Sequence, residues 1–200
     1  MPLLPYLEAN RLEAGCDEVG RGCLAGPVVA AAVILPNSYE NQWINDSKKL
    51  SKTQREELVE EIKRASLAWA LGEASVAEID QINILNASFL AMKRAILALQ
   101  TQPEHLLIDG NRWKSDLELP FTCVIKGDGK FTSIAAASIL AKVHRDQFME
   151  NLAKEFPHYG WESNAGYPTK IHREGIVKHG KTPWHRNSFR LLPEQLKLDL

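Results

Sequence analysis

Residues 14–23 read AGCDEVGRGC: two adjacent carboxylates, Asp17 and Glu18, at the end of an apolar approach, followed at once by Gly20, Arg21 and Gly22. Neighbouring side chains on an extended strand point to opposite faces, so in a buried strand one acid of the pair faces the core unless something shares the space with it. Two more acids stand in comparable places. Asp109 closes the apolar run HLLID, and Asp128 lies in KGDGK just after FTCVI. Any one Asp-Gly pair after a strand is ordinary turn chemistry. Several carboxylates at strand ends are a different matter, because they repel one another and hard divalent cations with oxygen ligands relieve that repulsion. Two such ions, about 4 Å apart, clamp the attacking water and the leaving oxygen of a phosphodiester.

The elements that must position these acids follow from periodicity. Residues 12–19 and 27–35 (PVVAAAVIL) read as a hairpin of buried strands separated by the Gly/Arg turn. Ser51 is placed to cap a helix from Lys52 through Arg64, and 67–75 reads as a third strand. Apolar residues recur at helical spacing from Ile82 to Leu99, ahead of Pro103. Residues 105–109 and 121–125 are short apolar strands, 131–155 is a long Ala-rich helix, and a short helix is expected near 169–179. The order predicts an α/β fold, a mixed β-sheet flanked by helices with a C-terminal helical extension. Residues 1–155 would form the catalytic body and 156–200 a helical or irregular cap that completes the substrate groove, both within one continuous domain. An acid after the last apolar residue of a strand projects from the edge where open α/β sheets place ligands.

Composition narrows the class. At 200 residues and 44% hydrophobic content the chain can bury a sizeable core. It shows neither a basic start leading into an apolar run nor a stretch of about 18 apolar residues, so a soluble cytoplasmic protein without a membrane partner is expected. Cys16, Cys23 and Cys123 form no CxxC pair and read as reduced packing residues. The net charge of −1 divides unevenly. Residues 1–125 carry 12 Lys+Arg against 17 Asp+Glu, and 126–200 carry 12 against 8 together with five of the six histidines. An acidic centre beside a basic surface suits a polyanion held for cleavage, although solvated helix faces produce the same split. No HExxH or similar pattern marks the histidines as zinc ligands. His144 and Arg145 fall on the long helix, where either could simply snorkel.

Five segments in order, DEVGRG at 17–22, DSKKLS at 46–51, LLIDGNR at 106–112, KGDGKFTSIAAASILAKVHRD at 126–146 and NAGYPTKIH at 164–172, resemble the motif set of bacterial ribonuclease HII, the type 2 ribonuclease H. They span nearly the whole chain. The resemblance implies an RNase H-like mixed sheet and an endoribonuclease that hydrolyses the RNA strand of RNA–DNA hybrids and cuts 5′ to single ribonucleotides embedded in duplex DNA. It assigns Asp17, Glu18, Asp109 and Asp128 to an acidic site for Mg²⁺ or Mn²⁺. It also carries recognition of the 2′-hydroxyl to Gly20, Arg21 and Gly22, and a stacking contact on the deoxyribose 3′ to the ribonucleotide to Tyr167. Read from the residues alone, the Gly turn is equally a hairpin with a solvated Arg, and Tyr167 a packing residue at the base of a loop.

Lys48, Lys49, Lys126 and Lys142 are candidate phosphate contacts, each also readable as a solvated surface lysine. A monomer is expected, and no protein partner can be read from the chain. Two other classes remain open at this point: an inactive hybrid-binding module on the same fold, and another nuclease of the RNase H-like superfamily. Intact acids at all four positions speak against the first. The Gly turn and Tyr167 speak against the second, since neither has an evident purpose without a 2′-hydroxyl and a junction to read.

Overall fold

The structure is a computed structural model and describes residues 2–44 and 50–193. Five strands form one mixed sheet: β1 (Glu13–Val19), β2 (Val28–Ile34), β3 (Ala68–Ala74), β4 (His105–Asp109) and β5 (Phe121–Val124), in the spatial order β3-β2-β1-β4-β5. The expected hairpin is present, with β1 antiparallel to β2 and Asp17 opposite Ala31. On its other side β1 runs parallel to β4, with Cys16 level with Ile108, and β4 runs parallel to β5, with Asp109 level with Val124. The C-terminal ends of β1, β4 and β5 therefore share one edge of the sheet, and that edge carries the acids.

Helices cover both faces. One core places α2 (Val76–Leu97) against Cys16, Ala30, Leu106 and Ile108, and the other places α1 (Lys52–Ala65) and α3 (Thr132–Glu155) against Val29, Ala31 and Val33. Small residues at the facing positions of α3, Ala135, Ala136, Ala137 and Ala141, are all buried and let the helix lie close over the sheet. Ser51 caps α1 in a reciprocal capping box with Gln54, as its position in the sequence indicates.

The second helix begins six residues earlier than its apolar periodicity suggests. Ser75 and Glu78 form a capping box that starts it at Val76, and Asn83, at φ 67°, interrupts it. The Asn83 side chain then accepts from the Asn86 N–H and recaps the second piece, whose apolar repeat is the one visible from Ile82 onward. The helix ends at Leu97, short of Pro103.

Beyond α3 come the single turn α4 (Trp161–Asn164) and α5 (Lys170–His179), with irregular chain between and after them. Their apolar residues, Tyr159, Trp161 and Ile176, form a core of their own with Leu24, Ala25, Met149 and Leu152. The first half of α3 thus packs on the sheet and its far half on the C-terminal segment. That segment returns to the hairpin loop, where Ala25 bridges His185 antiparallel.

Candidate active site

Alternation along β1 sends Asp17 and Glu18 to opposite faces, as the sequence requires. Asp17 points toward α3, is 7% exposed, and is hydrogen-bonded by the Ser138 side chain and by the Glu18 N–H at 2.7 Å. Glu18 turns to the other face and pairs through Oε1 with Arg21 Nη1 at 2.9 Å. Asp109 is one residue past the Cys16–Ile108 pair, level with Asp17 on the parallel neighbour. The Gly127 N–H donates to its Oδ1 at 2.6 Å. Gly127 leads the short turn after β5, and a Cβ there would stand 3.2 Å from the same oxygen, so the missing side chain lets the amide reach the carboxylate. Asp128, the next residue of that turn, adds its charge to the surroundings of Asp109.

Asp17, Glu18 and Asp109 are held above the usual carboxylate range. Burial raises Asp17 to about 8, and the charges of Glu18 and Asp109 add to this against the Ser138 hydrogen bond. Burial also raises Glu18 in spite of Arg21, and raises Asp109 in spite of its backbone donors. Glu18 Oε2 is buried with no hydrogen-bond partner. An all-oxygen donor set, a charge that the site does not neutralise by itself and an orphaned carboxylate oxygen fit a hard divalent cation. Among the described residues no three His, Cys, Asp or Glu side chains converge as a ready-made cage. Mg²⁺ usually needs none, since it takes one or two carboxylates and completes its shell with water and substrate phosphate.

The Gly20–Gly22 turn follows directly, and its two glycines differ. Gly20 has φ +95°, and a Cβ there would come 2.2 Å from Arg145 Nε. Gly22 has no such restriction: its Cβ would meet only the Tyr167 ring, at 3.9 Å. The turn and Tyr167, 145 residues apart in sequence, therefore lie beside each other, with room at Gly22 for no more than a methyl group before the ring is touched. Tyr167 is 40% exposed, and its hydroxyl is hydrogen-bonded with the Cys23 side chain. Of the lysines, Lys126 is exposed and Lys142 pairs with Asp146 at 2.7 Å, whereas Lys48 and Lys49 lie outside the described residues. Cys16, Cys23 and Cys123 are all free thiols.

Arg145 does not snorkel. It is fully buried and donates to the carbonyls of Pro27, Ala25 and Ala165 at 2.8–3.0 Å, tying the hairpin loop to the Tyr167 loop. His144, on the preceding position of the helix, stays partly exposed and meets Glu73 at 2.7 Å. Sequence reasoning missed Ser138, Arg186 and His185 altogether. The only signal for Ser138 was its place on the Ala-rich helix opposite β1, and nothing local marked Arg186 as buried.

Comparison with known proteins agrees with this architecture. A family profile described as "Ribonuclease HII" matches residues 14–192. The chain is 62% identical to "Ribonuclease HII" of Parabacteroides distasonis and 62% identical to that of Bacteroides fragilis, in each case over 98% of both chains. Among solved structures it resembles RNase HII of Archaeoglobus fulgidus, solved in complex with PCNA (TM-score 0.76, 27% identity, covering 93% of this chain and 97% of that one). It also shares the fold of Bst-RNase HIII, solved with Mn²⁺ (TM-score 0.72, 19% identity, covering 94% and 70%).

Proposed function

The chain belongs to the ribonuclease HII family and is a metal-dependent endoribonuclease of the RNase H type acting on RNA–DNA hybrids; on that premise we propose that Asp17, Glu18, Asp109 and Asp128 hold its divalent ions, Mg²⁺ or Mn²⁺. The observation that carries this reading is the crowding of Asp17 and Asp109, level on neighbouring parallel strands and both held above the usual carboxylate range by burial, together with the orphaned Glu18 oxygen at the end of the same strand. When bound, a pair of such ions supplies an activated water and neutralises the charge developing on the departing oxygen. The protein's own groups bind and orient. Ser138 and the Glu18 N–H fix the Asp17 carboxyl, and Gly127 fixes that of Asp109, so neither has to reorganise when substrate arrives.

Recognition falls to the turn and Tyr167 beside this site. Gly20, Arg21 and Gly22 offer main-chain groups to the ribose 2′-hydroxyl, the one group that separates RNA from DNA. Arg21 can trade Glu18 for a phosphate, because it is half exposed where it stands. Tyr167 stacks on the deoxyribose that follows a lone ribonucleotide, which directs the cut to its 5′ side. Lys48, Lys49, Lys126 and Lys142 provide phosphate contacts along the duplex, and the segment from 156 onward caps the groove. In this reading the enzyme works as a cytoplasmic monomer; among the described residues no helix is long and apolar enough to cross a membrane.

The experiment is a duplex DNA bearing one ribonucleotide, incubated with the protein over a titration of Mg²⁺ and of Mn²⁺, with the cut mapped at nucleotide resolution. Metal-dependent scission on the 5′ side of the ribonucleotide is expected. Tight binding of hybrid with no scission at any metal concentration would mark an inactive binding module. Cleavage of all-DNA duplex at a comparable rate would mark a different nuclease.

A further inference from the structure

Two consecutive residues of the C-terminal segment, His185 and Arg186, are hydrogen-bonded toward the Tyr167 loop and the Gly20–Gly22 turn. Arg186 is fully buried, and its guanidinium donates to Gly26 O from Nε at 3.0 Å and Nη2 at 2.8 Å, to Pro27 O at 3.2 Å, and through Nη1 to Arg21 O at 3.1 Å. The last bond enters the recognition turn itself. In a trans peptide the C=O and the following N–H point in opposite directions, and the chain holds no cis peptide among the described residues. Because the Arg21 carbonyl is drawn inward to a buried guanidinium, the Gly22 N–H is turned away from the interior.

His185 reaches the Tyr167 loop through a chain of hydrogen bonds whose direction can be read off its donors. The Thr182 N–H, which can only donate, meets His185 Nδ1 at 2.9 Å, so His185 carries its proton on Nε2. That nitrogen lies 3.2 Å from His172 Nε2, which also receives the Trp161 indole N–H at 3.0 Å. With two donors on Nε2, His172 must carry its own proton on Nδ1. Nδ1 stands 2.9 Å from the Tyr167 carbonyl oxygen and donates to it. Both imidazoles are fully buried, and Thr182, His185, His172 and Tyr167 form one directed series. Main-chain bonds hold the same frame: Arg186 N–H to Leu24 O at 2.9 Å, and Leu24 N–H to Gly166 O at 2.8 Å.

We propose that His185 and Arg186 are positioning residues that fix the ribonucleotide-reading turn and Tyr167 loop relative to each other, Arg186 by holding the Arg21 carbonyl and His185 by holding the Tyr167 carbonyl through His172. This rests on the reading of Tyr167 and Gly22 given above as the groups that meet substrate. Neither His185 nor Arg186 touches the reacting atoms, so each acts only through its partner across the hydrogen bond.

The test is a pair of double-mutant cycles. For His185, the quantity read is the ratio of kcat/KM on a lone ribonucleotide in DNA to kcat/KM on a long RNA–DNA hybrid, in which the shared metal site cancels. Asn at 185 keeps an acceptor for Thr182 but falls short of His172, whereas Gln can still donate to His172. His185→Asn is expected to lower the ratio about 10-fold and His185→Gln by less than about 2-fold. Combined with Tyr167→Ala, His185→Asn should add nothing further. For Arg186, Arg186→Lys should lower kcat/KM and add nothing once Gly22→Ala is present.

Equal losses on both substrates for His185→Asn, or additive losses in either cycle, overturn the positioning role. Tyr167→Ala alone tests the underlying reading: an unchanged ratio there removes Tyr167 as the junction reader, which is a different failure. Should the substitutions unfold the chain, long-range ¹H–¹⁵N imidazole spectra of the wild-type protein decide. They must show His172 protonated on Nδ1 and His185 on Nε2, and a His172 protonated on Nε2 severs the link and overturns the proposal.

Discussion

The two glycines of the recognition turn should respond to the same substitution in opposite ways. Gly20→Ala places a side chain at φ +95°, which costs about 1–3 kcal/mol, and drives its Cβ to 2.2 Å from Arg145 Nε and 2.8 Å from Cδ. Arg145 cannot yield cheaply, because it is fully buried and its three carbonyl acceptors join the hairpin loop to the Tyr167 loop. Losing one such charged hydrogen bond adds about 1.5–3 kcal/mol, so a total of about 2.5–6 kcal/mol is expected. For a chain of this length that is a melting temperature lower by about 5–24 °C. Gly22→Ala meets only the Tyr167 ring at 3.9 Å and no forbidden backbone angle, so its stability should stay within about 0.5 kcal/mol of the wild type. Its methyl group occupies the side of the turn facing Tyr167, and cleavage of a lone ribonucleotide should fall at least about 10-fold. Calorimetric melting and kcat/KM at one fixed salt concentration read the two effects separately. A Gly20→Ala protein that melts with the wild type would refute the strain argument. A Gly22→Ala protein that cuts as well as the wild type would refute the close backbone approach.

Asp109→Asn keeps the acceptor for the Gly127 N–H and removes a crowded charge, so the metal-free protein should melt no lower than wild type while activity falls at least about 100-fold across a metal titration. Asp17 keeps its proton up to about pH 8 in the folded protein and only to about pH 4 when unfolded, so its own contribution to metal-free stability is fullest below pH 4 and is lost as pH rises through 8. Divalent binding must expel that proton, so affinity should rise about 10-fold per pH unit between about pH 6 and 8, and calorimetry in buffers of differing ionisation heat should count one proton released. A flat affinity over that range, or the same slope in Asp17→Asn, would detach the effect from Asp17. Ser75→Ala removes the cap that starts the second helix and should cost about 1 kcal/mol in denaturant unfolding with cleavage unchanged.

Much of this protein was legible locally. Strand ends, the Ser51 cap and the long helix over the sheet all follow from short-range periodicity, and the acids announced themselves by standing one residue past apolar runs. The start of α2 was missed because its first turn is specified by a capping box, Ser75 with Glu78, and not by an apolar repeat; Asn83 then resets the phase. The gathering of the acids was not local at all. It depends on β1, β4 and β5 running parallel, so that Asp17 and Asp109 stand level, and on burial deep enough to leave their charges unrelieved. Likewise Arg145, Arg186, His172 and His185 look like surface residues of a basic C-terminal segment. Each is fully buried because the folded chain brings partners within reach, carbonyls of the hairpin loop and the Tyr167 loop for Arg145, Arg186 and His172, and the His172 imidazole for His185, and such partners, up to 165 residues away, leave no trace in the residues on either side.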